Sequence, residues 1–209
     1  MKLVEMTVTG FVKELASNSP APGGGSVAAL AGSLAAGLAS MVSELTVGRE
    51  KFKDNEPMIK PLLTEGKELA SELLDLIDED TESFNELMKA FKLPKGTDEE
   101  KAARSKAIQA ATKVTIEVPL KTCEACAKAA CLAKTAVTYG NPNAVTDGGS
   151  AAHMAMAGAI AASYNVRVNL LGFKDEAFSA SVKDRIKKAL ETAEAAVADV
   201  KALLEKALA

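Results

Sequence analysis

The chain has no tryptophan, a single histidine, and aromatic residues at only 4% of its 209 positions. A core built without large rings must come from Ala, Leu, Val and Met, which suits closely packed helices. With His153 alone, neither a Ser-His-Asp triad nor a multi-histidine zinc site can be assembled, so no metal is expected. Cysteine is scarce and odd in number, and Cys123, Cys126 and Cys131 fall within one helix-like stretch. That is unlike a secreted disulfide framework and points to a reducing cytoplasm. Basic runs are also missing, and the net charge is −3, which argues against nucleic-acid binding. The start, Met1-Lys2-Leu3-Val4-Glu5, lacks the basic-then-apolar order of a signal peptide. No segment alternates with period two, so strands are not expected.

Small residues are abundant instead. Pro20-Ala21-Pro22-Gly23-Gly24-Gly25-Ser26 leads into a stretch that is almost entirely Gly, Ala and Ser, with Val27, Leu30, Leu34 and Leu38 as the larger exceptions. Their spacing predicts a central helix running to about Val47, with Ser26 as its N-cap. Gly24, Ala28, Gly32, Ala36 and Ser40 form a small-residue face that lets other backbones approach. The glycine-rich entry is a candidate anion site, because backbone N–H groups at a helix start lack partners. Residues 23–43 carry no charge and are long enough to span a bilayer, but no Lys/Arg cluster or aromatic belt flanks them, so no membrane segment is expected.

The remaining periodicity predicts helices over Thr7–Ser17, from Pro57 to about Leu93, from Thr97 to Tyr139, from about Asp147 to Leu170, and from about Asp175 to Leu208. Thr97 with Glu100 forms a capping box, and Pro119 is expected to kink the fourth helix or divide it. Together these make a single-domain, all-α, up-and-down bundle of six to seven helices.

Asp80 is the sharpest candidate for chemistry. The apolar stripe of the long helix steps through Leu73 and Ile77 to Phe84, Leu87 and Phe91, and Asp80 falls on it, while Asp75, Asp78, Glu79 and Glu82 should be solvated. A carboxylate on a buried stripe acquires a partner, a raised pKa or a function. A second Gly-Gly-Ser, at Gly148-Gly149-Ser150, precedes another small-residue helix and resembles the first entry, although tight turns feeding packed helices would look the same. Asp147 reads as a helix cap or a ligand contact. Asn165 shares a face with it. Arg49, Lys51 and Lys53 form a solvated connector that could also meet an anionic substrate.

These residues resemble the formimidoyltetrahydrofolate cyclodeaminase family. The resemblance rests on Phe11-Val12…Leu15-Ala16-Ser17…Pro20-x-Pro22-Gly23-Gly24-Gly25-Ser26-Val27-Ala28-Ala29, and on Ile77-Asp78-x-Asp80-x-x-x-Phe84. It continues through Leu93-Pro94-Lys95-x-Thr97, Val118-Pro119-Leu120 and Tyr164-Asn165-Val166-x-Val168-Asn169-Leu170. It implies cyclisation of 5-formimidoyltetrahydrofolate to 5,10-methenyltetrahydrofolate with release of ammonia, no cofactor beyond the folate substrate, and at least a homodimer. Methenyltetrahydrofolate cyclohydrolase is the alternative within the family, and a non-enzymatic helical interaction protein is the alternative outside it. The resemblance assigns proton transfer to Asp80 and places Asp147, preceded here by Thr146, against the pterin. Gly23, Gly24, Gly25, Ser26, Arg49, Lys51 and Lys121 are the candidates for the folate's anionic tail, polyglutamylated or not, and Asn165 is a further binding candidate.

Overall fold

The structure is a computed structural model that describes residues 2–209. Its α-helices are α1 (Val8–Leu15), α2 (Gly24–Glu44), α3 (Glu56–Phe91), α4 (Asp98–Tyr139), α5 (Val145–Asn169) and α6 (Glu176–Leu208), and no strand occurs among the described residues. Helices α2 to α6 run up and down. The starts of α2 and α6, the ends of α3 and α5, and Thr115 of α4 therefore share one end of the bundle. The α2–α3 connector, the α4–α5 turn and the tail of α6 share the other.

α2 packs against α3, α4 and α5, and its small face is what permits this. A Cβ at Gly32 would lie 2.5 Å from Cys126 Sγ and 3.0 Å from Leu73 Cδ2; one at Gly158 would lie 2.9 Å from the Ala28 carbonyl. Its larger residues take the opposite side, where Leu34, Met41 and Leu45 are exposed. By length and composition α2 could cross a membrane, yet 61% of its most apolar window is buried inside the bundle. α1 is less amphipathic in place than its sequence predicts. Phe11 alone is buried, while Val8, Val12 and Leu15 remain exposed.

Helix ends follow local chemistry. Thr97 and Glu100 form the expected capping box, and Asp175 accepts the Phe178 N–H at 2.9 Å to start α6. Gly172, at φ +79°, ends the α5 turn in a conformation that suits glycine.

Two sequence expectations need correction, and a third, at Pro119, loses one of its alternatives. Ser26 is not an N-cap: α2 begins two residues earlier, with Gly23 in the cap position, and Ser26 is its third helical residue. α5 begins at Val145, so Gly148 and Gly149 lie inside its first turns, and Ala144, not Asp147, occupies the cap. Their Cβ positions would fall 2.5 Å from Val137 and from Leu204, so this second glycine pair serves helix packing. Pro119 does not divide α4, which continues over 42 residues. Proline removes the N–H that would bond the carbonyl four residues back, here that of Thr115. That carbonyl instead accepts from Asn169 Nδ2 of α5 at 2.7 Å. The interruption is satisfied across the helix interface.

Candidate active site

The glycine-rich start of α2 faces Asp80 of α3. A first-turn N–H of a helix lacks an intrahelical partner, and that of Ser26 donates to Asp80 Oδ2 at 3.0 Å. The Ser26 hydroxyl lies 3.1 Å from the same oxygen, 2.9 Å from the Ile77 carbonyl and 3.3 Å from Thr81 Oγ1. The anion expected at this helix start is thus the protein's own carboxylate. A Cβ at Gly25 would fall within the Asp80 carboxylate, so glycine is what allows the close approach. Asp80 lines the adjoining cavity, and its Oδ1 has no hydrogen-bond partner among the described residues.

That cavity measures about 280 Å³. Gly23, Gly24 and Gly25 form one wall, Thr81 and Phe84 another, and Thr115, Asn165 and Asn169 complete it. Asp80 is the only ionisable side chain in the lining. Burial pushes its carboxyl above the ordinary carboxylate value, and the hydroxyl and backbone N–H of Ser26 pull it back only in part. Two grooves of more than twice that volume, about 700 and 640 Å³, lie along α6. They are open to solvent, and the first is occupied by the exposed Arg185–Glu124 pair, so neither aims a buried titratable group at a ligand. The cavity beside Asp80 is the candidate site, because its chemistry is unspent.

The sequence candidates separate by position. Gly23, Gly24, Gly25, Asp80 and Asn165 line the cavity, and Ser26 stands directly behind Asp80. Asn165 donates to the Ala161 carbonyl of its own helix at 2.9 Å and sits against Gly24. Lys121 lies on the outer face of α3 and α4, 3.9 Å from Glu79. Arg49 and Lys51 follow the far end of α2, roughly 30 Å from Gly24 at the rise of a helix. Asp147 is half-buried at the far end of α5, about 27 Å along the helix from Asn165. Within one chain, then, Arg49, Lys51 and Asp147 do not meet Asp80. Asp78 is half-buried and accepts the Leu3 N–H at 2.6 Å, where periodicity expects a solvated side chain.

Thr81, Thr115 and Phe84 in its role as a wall are additions that sequence reasoning does not supply. Thr115 carries one usable signal, since it lies four residues before a mid-helix proline. Elsewhere, Cys123 and Cys126 are buried and their thiols are pushed up to about 12, mainly by desolvation, so they are not nucleophiles. His153 is exposed at the opposite end of the bundle.

A cavity with one such carboxyl and otherwise neutral walls has the chemistry of a general acid–base site, and a helical acid–base enzyme is the class that this fold and candidate site suggest. Residues 7–188 match the family model described as Formiminotransferase-cyclodeaminase, and the chain belongs to that family. It is 41% identical over 182 residues to a methenyltetrahydrofolate cyclohydrolase of Methylorubrum extorquens, covering 87% of this chain and 86% of the relative. It is 34% identical to the formimidoyltransferase-cyclodeaminase of Mus musculus, covering 97% of this chain but spanning only 38% of that longer protein. The crystal structure of formiminotetrahydrofolate cyclodeaminase from Thermotoga maritima superposes with a TM-score of 0.88 at 27% identity, over 98% of each chain.

Proposed function

We infer that this chain is an enzyme of folate one-carbon chemistry that cyclises 5-formimidoyltetrahydrofolate to 5,10-methenyltetrahydrofolate and releases ammonia. Asp80 carries the reading: a half-buried carboxyl lining the cavity, alone among neutral walls, with one oxygen free of hydrogen bonds. In the reaction N10 attacks the carbon of the protonated formimidoyl group on N5. N10 then gives its proton to Asp80, and Asp80 returns it to the former imino nitrogen; the bond from carbon to that nitrogen breaks, ammonia leaves, and the N10 lone pair completes the double bond of the methenyl bridge. Every atom is accounted for by one acid–base group, so the folate itself is the only non-protein component required. Burial suits the task, because it brings the carboxyl nearer to the operating pH than a solvated aspartate would be. The cavity holds a pterin-sized head, and the rest of the folate extends from it.

The Methylorubrum relative supports a second reading, hydrolysis of the methenyl bridge. Water would attack the bridging carbon and lose one proton to Asp80; the C–N5 bond would then break, the hydroxyl proton passing to N5, to leave 10-formyltetrahydrofolate. Assaying ammonia release from the formimidoyl folate beside loss of the methenyl chromophore separates the two. Methenyl hydrolysis without ammonia release would overturn the first reading, and no turnover of either would overturn both.

We also propose a homodimer joined through α2 and α5, because Leu34 and Met41 of α2 and Tyr164 and Val168 of α5 are exposed on adjoining uncharged rows. A two-fold pairing with the α2 helices antiparallel would set the Arg49 and Asp147 end of one copy beside the cavity of the other. That arrangement keeps Arg49 and Lys51 as candidates for the glutamate tail, polyglutamylated or not, and Asp147 as a candidate for the pterin. The three free thiols are in keeping with residence in the cytoplasm.

A further inference from the structure

The Ser26 hydroxyl has one proton and two acceptors. It is fully buried, so water cannot take over either bond. Its neighbours are the Asp80 carboxyl on one side and the Ile77 carbonyl, an α3 backbone group, on the other. Thr81, whose hydroxyl lines the cavity, stands behind it at 3.3 Å and can donate to Ser26 Oγ while Ser26 donates onward.

A charged acceptor outcompetes a neutral one for the same donor. When Asp80 is a carboxylate, the Ser26 O–H therefore points to Oδ2. When Oδ1 gains a proton, Oδ2 becomes an ordinary carbonyl oxygen that still accepts the Ser26 N–H, and the hydroxyl is released to Ile77. We propose that Ser26 is the positioning residue of the site, a hydroxyl that follows the charge of Asp80 so that neither protonation state leaves a buried polar group unsatisfied. No Ser26 bond breaks in this cycle. The O–H that forms is on Asp80 Oδ1, its proton comes from the substrate nitrogen, and it leaves again to the departing nitrogen. Only a hydrogen bond changes partner.

Little else can set the proton affinity of Asp80. α4 presents Thr115 and α5 presents Asn165 and Asn169, none of which titrates, and the α2 wall is glycine. On α3 itself, Glu79 and Glu82 are exposed, and Asp78 is held by the Leu3 N–H. The basic groups of those elements beside the cavity residues are on the outer surface: Lys121 is paired with Glu79, Lys113 lies over the Phe178 ring, and Arg167 is exposed.

The inference rests on the reading of Asp80 as the acid–base group, but its test needs no folate. In protein labelled with ¹³C at the aspartate carboxyls, the Asp80 signal is assigned by its loss in Asp80→Asn and titrated by NMR in wild type and Ser26→Ala. Alanine keeps the backbone N–H and removes only the hydroxyl that favours the carboxylate, so the midpoint is expected to rise by about one pH unit. Thr81→Val is expected to raise it by less, and it serves as the second variant if Ser26→Ala fails to fold. Where turnover is present, the acidic limb of kcat/KM should move by the same amount, with kcat about tenfold lower and KM unchanged. A midpoint unmoved in the folded variants overturns the proposal, whatever the substrate. A moved midpoint without folate turnover upholds the hydroxyl's role and removes the folate reading.

Discussion

At Asp80 the surroundings set a proton affinity on which both the proposed chemistry and the stability depend. Burial holds its carboxyl above the ordinary value of 3.8, so the folded chain binds this proton more tightly than the unfolded chain does. The group's contribution to stability is then fully present below 3.8 and is lost as pH rises through the folded value. Thermal unfolding should therefore show Asp80→Asn at least as stable as wild type at pH 7, with the advantage shrinking as the pH falls below the folded value. A lower melting temperature at pH 7 would mean that the carboxylate is a structural partner. Gly25 offers a complementary test. A methyl group there occupies the carboxylate's place, and Gly25→Ala should lose at least about tenfold in kcat and about 1–3 kcal/mol of stability from overpacking. Asp80 was legible in the sequence because it sits in register on an apolar stripe. Ser26 was legible only as a helix-start residue, since its partners lie on α3 and no spacing within α2 reveals them.

Helices here are long, and their defects are repaired by neighbours. Pro119 frees the Thr115 carbonyl, and Asn169 takes it up beside the cavity. Asn169→Ala should cost about 1–3 kcal/mol by leaving that buried carbonyl unpaired. Pro119→Ala supplies the missing N–H, so the same substitution in that background should cost markedly less. Equal costs, measured by denaturant unfolding of the four proteins in the cycle, would show that the contact is incidental. Helix number, order and most boundaries could be read from periodicity and breakers. The continuity of α4 could not, because local sequence states what proline removes and not what a distant asparagine restores. The same limit explains Gly148 and Gly149, which look like an open helix entry and instead make room for Val137 and Leu204.

For the whole molecule, the up-and-down order decides which candidates meet. It brings the start of α2, the latter part of α3 and the end of α5 to one cavity, and it carries Arg49, Lys51 and Asp147 to the other end. Residues that look like one site in sequence are thus divided between two ends, a separation that only the path of the chain reveals. The exposed row of α2 gives this a test. Leu34 is 51% exposed, and Leu34→Glu leaves the fold of a single chain intact while placing a charge on the proposed dimer face. Sedimentation should show wild type as a dimer and the variant shifted to monomer, with weaker folate binding. A variant that remains a wild-type-like dimer would place the interface elsewhere.

The proposed folate chemistry depends on Asp80 as its proton-transfer group. Its most direct test is kcat of folded Asp80→Asn against wild type, with 5-formimidoyltetrahydrofolate and with 5,10-methenyltetrahydrofolate. The expected result is a loss of at least about a hundredfold on whichever substrate the wild type turns over, the scale of one general base. A rate near that of wild type would contradict it.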